Sequence, residues 1–376
     1  MQSIDRIFRV YIAPGCVVQS VIIGGGYGTG REIVEYFTRY GFWGGLMGIA
    51  AAIGCMGLVL AITFEFSRLY KYYDYRTFIR GLLGPGWVVF ELTAVAMLLL
   101  MLSVLTAAAG TIVTDAFHLP RILGLVGMAG VIGLLSFFGR ALLTAVMTVW
   151  SFVLYAVFTI FLVIALDRGG GQIAVHAANW DASAGWTVSG LKYAFYNLSV
   201  APLILYAVRP IETRTEAVGA GVAAAFITMV PAAIFHVAFF AAYPGVLEQA
   251  VPIYWMIGEL KAPGFLVIYS VMLFGAFIRS GAGVLQGLLE RVAVFCEEKG
   301  WRPPSRMANA AFTMSAILIS VLLANLGVIA LVAQGYGVMA WVYLGVFIAP
   351  LLTVGLYRIR KAGRAGSPPL AEAPGG

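Results

Sequence analysis

Apolar residues in this chain gather in stretches of roughly twenty, each long enough to cross the ~30 Å hydrocarbon layer of a bilayer as a helix. Ten such segments are predicted. The first five run Phe8–Tyr40, Gly44–Phe66, Trp87–Phe117, Ile122–Phe138 and Ala141–Leu166. The second five run Thr187–Ala207, Ala217–Ala242, Phe265–Phe295, Met307–Leu326 and Gly337–Tyr357. A period of two does not dominate them, which argues against a transmembrane β-barrel, and in such runs only helices satisfy every backbone group internally. Between the spans, Arg68–Gly86 is basic and aromatic, the pattern of an amphipathic helix lying along a membrane face. Arg168–Trp186 reads as an outer loop, and Tyr243–Pro263 as an apolar lid over an outer vestibule. Gly327–Gly337 fits a loop or a helical extension equally well. Residues 359–376 read as a disordered tail rich in Gly, Pro and Ala. The fold class is therefore all-α and polytopic, a single membrane domain over residues 1–358.

Composition agrees. Charged residues make up 11% of the chain, against about 25% in ordinary soluble domains. The net charge of +7 points to membrane orientation rather than nucleic acid, because most basic residues fall in short loops. With both termini cytoplasmic in a cell membrane, 17 of the 24 Lys and Arg residues lie inside and six outside, with Arg279 within a span. Met1–Arg9 leads straight into an apolar segment, without a small-residue cleavage site. Cys16, Cys55 and Cys296 are scattered, with neither disulfide nor metal-ligand spacing.

The chemistry concentrates at interruptions. Gly24, Gly25, Gly26, Gly28 and Gly30 put five glycines into seven residues near the middle of the first span. Each costs a helix interior roughly 0.8–1 kcal/mol relative to alanine. Backbone unwound at that depth survives only when buried in protein or lining a cavity. Small-residue helix packing is the plainer account, but it needs glycine on one face rather than all round. The spacing is not that of a dinucleotide fingerprint. The sixth span is interrupted too, by Pro202 in Tyr196-Asn197-Leu198-Ser199-Val200-Ala201-Pro202. Matching interruptions in segments one and six point to a binding site at the interface of an inverted repeat, 8–166 against 187–357. The freed ends carry roughly half a unit of charge of each sign, which suits a small zwitterion.

At these residues the chain resembles the amino acid–polyamine–organocation transporter superfamily, with its LeuT-type five-plus-five fold, and within it the YkvI-type group. Ile23–Phe37 (IGGGYGTGREIVEYF) is similar to that group's first helix, Tyr196–Pro202 (YNLSVAP) to its broken sixth, and Gly287–Arg291 (GLLER) to the end of its eighth. The resemblance implies secondary transport by alternating access. It implies a small-molecule substrate held at the two breaks, by Ile23, Gly24, Gly25, Gly26, Tyr27, Gly28, Tyr196, Asn197, Leu198, Ser199 and Ala201, without identifying it; the charge at the freed ends favours an amino acid or related amine. Sodium-coupled members hold an ion with hydroxyl residues of the eighth helix; Arg279 and Ser280 stand at the matching positions. A guanidinium bonded to free carbonyls near Val21–Gly24 would replace the ion and remove the sodium requirement. A mid-span arginine is costly and usually paired, although one near a boundary snorkels to water.

Among other polar residues, Glu32 is the candidate proton carrier, with Arg31 or a substrate ammonium as its partner. Glu65 and Glu91 are expected to pair with Arg68 and Arg80. His236 reads as a satisfied packing residue, and Asp115 and His118 as interface residues. Ser103, Thr106 and Tyr155 are possible cavity residues. No catalytic set, cofactor motif or metal cluster emerges, so an enzyme is not expected. A sensor that binds a solute without moving it remains the alternative to a carrier.

Overall fold

The computed structural model describes residues 2–138, 140–298 and 300–364; side chains of 2–4, 116, 135–138, 140–155 (which include Tyr155) and 298 lie outside the described set, as do residues 365–376. It contains helices and no strand among the described residues. Eight helices are long and apolar enough to span a bilayer. A shorter apolar helix and a broken first helix bring the number of crossings to ten.

The first crossing is Gln2–Ile22 followed by Gly25–Tyr36, and the second is Phe42–Tyr70. The amphipathic helix Tyr75–Leu83 comes next, started by Asp74, whose carboxylate accepts from the Thr77 amide at 2.9 Å. Phe78, Ile79 and Leu82 form its buried face. Crossings three to five are Trp87–Phe117, Arg121–Phe138 and Arg140–Ala178. Crossing six is Trp186–Val208, and seven is Arg214–Phe239, opened by a Thr213/Glu216 capping box. Crossings eight and nine are Pro263–Glu298 and Arg306–Ala324, and the tenth begins at Val328 and runs to Arg364.

Close packing comes from small residues rather than from the hydrophobic effect, which lipid cannot supply. Gly221 of the seventh crossing lies against the backbone at Ala61 of the second, and Gly190 of the sixth against Gly48. Several contacts gather one set of connections on a single face. Arg6 pairs with Glu212 and Glu216 at 3.1 and 2.7 Å, Arg68 donates to the Glu212 carbonyl at 3.0 Å, and Arg358 donates to the Gly81 carbonyl. This terminal face carries both ends of the described chain and the amphipathic helix.

Two expectations need correction, and one open alternative is decided. The fifth helix does not end at Leu166 but continues to Ala178, taking up most of the expected outer loop. The Gly169–Gly171 run suggests a break, yet Gly169 is used for close contact with Ala241. The last helix continues past 358 to Arg364, because Ile359 and Ala362 are buried and the Arg358 guanidinium lies over Tyr70. Of the two courses open for Gly327–Gly337, the structure takes the helical extension: residues 328–336 are helical, starting after Gly327 at φ +86°.

Candidate functional site

The first helix loses its regular bonding at Ile23–Gly24. Ile23 adopts φ −72°, ψ 72°, and the Gly24 amide turns back to the Ile22 carbonyl at 2.7 Å. Helix resumes at Gly25–Gly28 and breaks again at Thr29–Gly30, where Gly30 takes φ +82°. The glycine run thus produces two bends with a single turn between them.

The sixth crossing changes differently. It is α-helical to Asn197, and from Leu198 to Val208 it tightens into a 3₁₀ helix around Pro202. The expectation was unwound chain; the structure keeps a helix and shortens its bonds. Proline removes only one donor, and a 3₁₀ register satisfies the remaining groups with i→i+3 bonds.

The two interruptions meet. Ala13–Ile22 packs against Leu198–Val208, and Gly24 and Ser199 line one cavity of about 550 Å³. Arg279 and Ser280 of the eighth crossing line it as well. The Arg279 Nη2 donates to the Ile23 carbonyl at 3.1 Å, one of the carbonyls the first break exposes. Ser280 Oγ would lie 3.3 Å from a methyl group added to Gly24. The Ser199 hydroxyl lies beside the Tyr343 phenol of the tenth crossing. The remaining wall is mostly apolar, with Ala94, Met97 and Met101 from the third crossing and Leu203 from the sixth.

Below the breaks, the cavity reaches Tyr75 and Arg76 of the amphipathic helix and Glu290 and Arg291 of the eighth crossing, and so runs toward the terminal face. Arg291 donates there both to Glu91 and to the Tyr75 phenol, the latter at 2.6 Å, tying the amphipathic helix to crossings three and eight. Glu91 therefore takes Arg291, not the expected Arg80, whose guanidinium sits 4.5 Å over the Trp87 ring. Glu65 does hold Arg68, through two 2.8 Å bonds.

Above the breaks the protein is closed. Glu32 is 5% exposed and accepts a 2.6 Å bond from the Tyr196 phenol. A methyl at Gly26 would lie 2.6 Å from Glu32 Oε1 and 3.6 Å from the Tyr336 hydroxyl. Tyr27, Tyr36 and Tyr193 are also buried, and the latter two pack with Tyr196 into an aromatic plug. The expected Glu32–Arg31 pair does not form. Arg31 is aimed at Glu35 (2.6 Å) and at the Leu247 and Gln249 carbonyls (2.7 and 3.1 Å). The Ile253 amide reaches the Thr29 carbonyl at 3.2 Å, and Tyr269 donates to the Gly28 carbonyl. The lid segment is thereby latched onto the outer half of the first helix.

Of the sequence candidates, Gly24, Ser199, Arg279 and Ser280 line the cavity. Ile23 contributes its carbonyl to Arg279. Gly26, Tyr27, Gly28, Tyr196, Asn197, Leu198, Ala201 and Glu32 belong to the packed region above and beside it, and Gly25 heads the short turn. Ser103 and Thr106 are not in the cavity wall; both are buried and bond carbonyls of their own helix at 2.7–3.0 Å. His236 is buried between Thr38 and the Phe42 carbonyl, at 3.2 and 2.9 Å. The charged mouth and Tyr343 were missed, although the basic-aromatic pattern around Tyr75 and Arg76 was a usable signal.

No family model matches the chain. It is 26% identical over 349 residues to the membrane protein YkvI of Bacillus subtilis (strain 168), covering 89% of this chain and 93% of that one. Among solved structures, the Eremococcus coleocola manganese transporter superposes with a TM-score of 0.60 at 16% identity, over 94% of this chain and 80% of that one. A Na⁺-coupled sialic acid symporter gives 0.59 at 15%, over 94% and 84%. The nucleobase-cation-symport-1 transporter Mhp1, closed around bromovinylhydantoin, gives 0.60 at 15%, over 94% and 78%. The chain is an integral membrane protein of the LeuT-type fold, similar to YkvI along nearly its whole length.

Proposed function

We propose that the chain is a secondary transporter that moves a small organic solute of the amino acid and amine class across the cell membrane by alternating access. The observation that carries this is the meeting of two interrupted crossings at one cavity, sealed on one side and reaching the other face. The unwound backbone of the first crossing is expensive in a bilayer unless it is buried in protein or lines a cavity. The described conformation corresponds to a state open toward the terminal face, which the excess of Lys and Arg assigns to the cytoplasm. The substrate residues are those at the breaks, Gly24 and Ser199 foremost.

Transport is sodium-independent in this reading. Arg279 bonds the Ile23 carbonyl, where a sodium ion would otherwise meet carbonyl oxygens, and a guanidinium and a cation repel one another at that distance. Glu32 is the group suited to carry a proton, being buried beside the break with a phenol as its bonded neighbour. A divalent metal cargo, as in the manganese transporter, is less well supported: no cluster of three His, Cys, Asp or Glu exists among the described residues. The test is uptake of labelled amino acids and amines into proteoliposomes, with and without sodium and with an imposed proton gradient. Accumulation without sodium, stimulated by an inward proton gradient, is expected. Uptake that requires sodium removes the surrogate role of Arg279, and binding without any flux favours the sensor.

A further inference from the structure

We propose that the group recognised at the cavity is a carboxylate, held by Arg279, and that the substrate's ammonium is dispensable. This moves the solute class from amino acids and amines to carboxylates in general, and rests on the reading of the cavity as a substrate site. Among the described residues Arg279 has no carboxylate partner; its Nη2 is bonded to the Ile23 carbonyl and its buried Nε–H has no acceptor. A buried donor left open in this way calls for an acceptor. The helix ending at Ile22 supplies about half a negative charge at that carbonyl, which leaves the guanidinium undercompensated.

The rest of the wall offers an ammonium hydroxyls and break carbonyls but no free carboxylate at this level. Glu32 does not line the cavity and is engaged by Tyr196. Glu91 is taken by Arg291, and Glu290 lies at the far mouth beside Arg76 and Arg291 and has interactions of its own. Three arginines and one glutamate line the cavity; Arg291 is paired with Glu91, and the positive charge left for a ligand at the level of the breaks is that of Arg279. Ala94, Met97, Met101, Val200 and Leu203 provide an apolar wall for the body of the ligand. The ligand that fits is a small monocarboxylate with a hydrocarbon body. A planar guanidinium pairs with a carboxylate through two parallel bonds, a geometry that an ammonium cannot use.

The experiment is binding of a size-matched set to the purified full chain by isothermal titration. The set is 4-methylpentanoate, hexanoate and phenylacetate, the matched amines isoamylamine, hexylamine and phenethylamine, and leucine. The carboxylates are expected to bind, leucine no more tightly than 4-methylpentanoate, and the amines at least tenfold more weakly. Arg279→Gln should cut carboxylate affinity at least tenfold, with Arg279→Lys in between. Because a variant can disturb the Ile23 contact, the charge preference of the unaltered protein is the primary readout. Amines binding as well as carboxylates, or no carboxylate binding at all, overturns the proposal. Flux is then measured separately in proteoliposomes: carboxylate binding without flux defeats the carrier reading alone, and amine flux unaffected by Arg279→Gln defeats this proposal alone.

Discussion

Gly30 is the residue at which the chain's geometry is least negotiable. It sits at φ +82°, and a methyl there would lie 2.6 Å from the Phe239 ring and 2.8 Å from Ile253. Gly30→Ala should therefore destabilise by about 1–3 kcal/mol from overpacking alone, with a left-handed backbone penalty added. The expected result is a lower melting temperature in detergent, while Gly54→Ala, which meets open space inside a helix, does not lower it. Glu32 makes a different prediction. If it carries the coupled proton, Glu32→Gln retains folding, since the amide can still accept from Tyr196, but uptake no longer responds to a pH gradient. A variant that keeps the full response assigns the proton elsewhere. Single positions were partly legible in the sequence. The glycine run announced the first break because five costly residues in seven have no ordinary helical explanation. The partner of Glu91 was not legible, because Arg291 is distant in sequence and no spacing rule reaches it.

Among the elements, the outer half of the first helix and the lid behave as one body. Arg31 is 3% exposed and joins Glu35 to two lid carbonyls. Glu35 also holds Arg39, so removing Arg31 leaves that carboxylate partly compensated and acts mainly by freeing the two lid carbonyls. Arg31→Gln should thus loosen the lid, raising labelling of Leu247→Cys by an impermeant thiol reagent from the lid side severalfold. Unchanged labelling would show that the latch does not hold the lid. The sixth crossing carries a further prediction. Pro202→Ala restores a donor and should let α-helical bonding extend beyond Asn197, slowing transport more than it changes stability. An uptake rate equal to that of the unaltered protein would mean that the 3₁₀ segment has no role in transport. The location of this interruption could be read from Tyr196–Pro202, but its form could not. Proline identifies the lost donor, whereas the choice between unwound chain and 3₁₀ depends on packing against the first helix. The fifth helix shows the opposite failure: a run of three glycines resembles a stop until the contact of Gly169 with Ala241 is known.

The whole molecule was the easiest scale to infer. Ten apolar segments and few charges leave little besides a helical membrane bundle, and the resemblance supplied the five-plus-five arrangement. The cavity wall was harder, because the third crossing is apolar all round and its sequence does not say which face meets the ligand. What the assembled bundle adds is an asymmetry, with a cavity reaching the terminal face and an aromatic plug and latched lid above it. A carrier must be able to reverse that asymmetry around a fixed site. The direct measurement is thiol accessibility of Ser199→Cys in a background lacking Cys16, Cys55 and Cys296, probed with a membrane-impermeant reagent from each face. Labelling from the terminal face in the unaltered gate, shifting toward the lid face when Arg31→Gln is added, is the predicted result. A thiol at 199 that stays unreactive from both faces, or reacts from the same face whatever the state of the latch, would contradict the account.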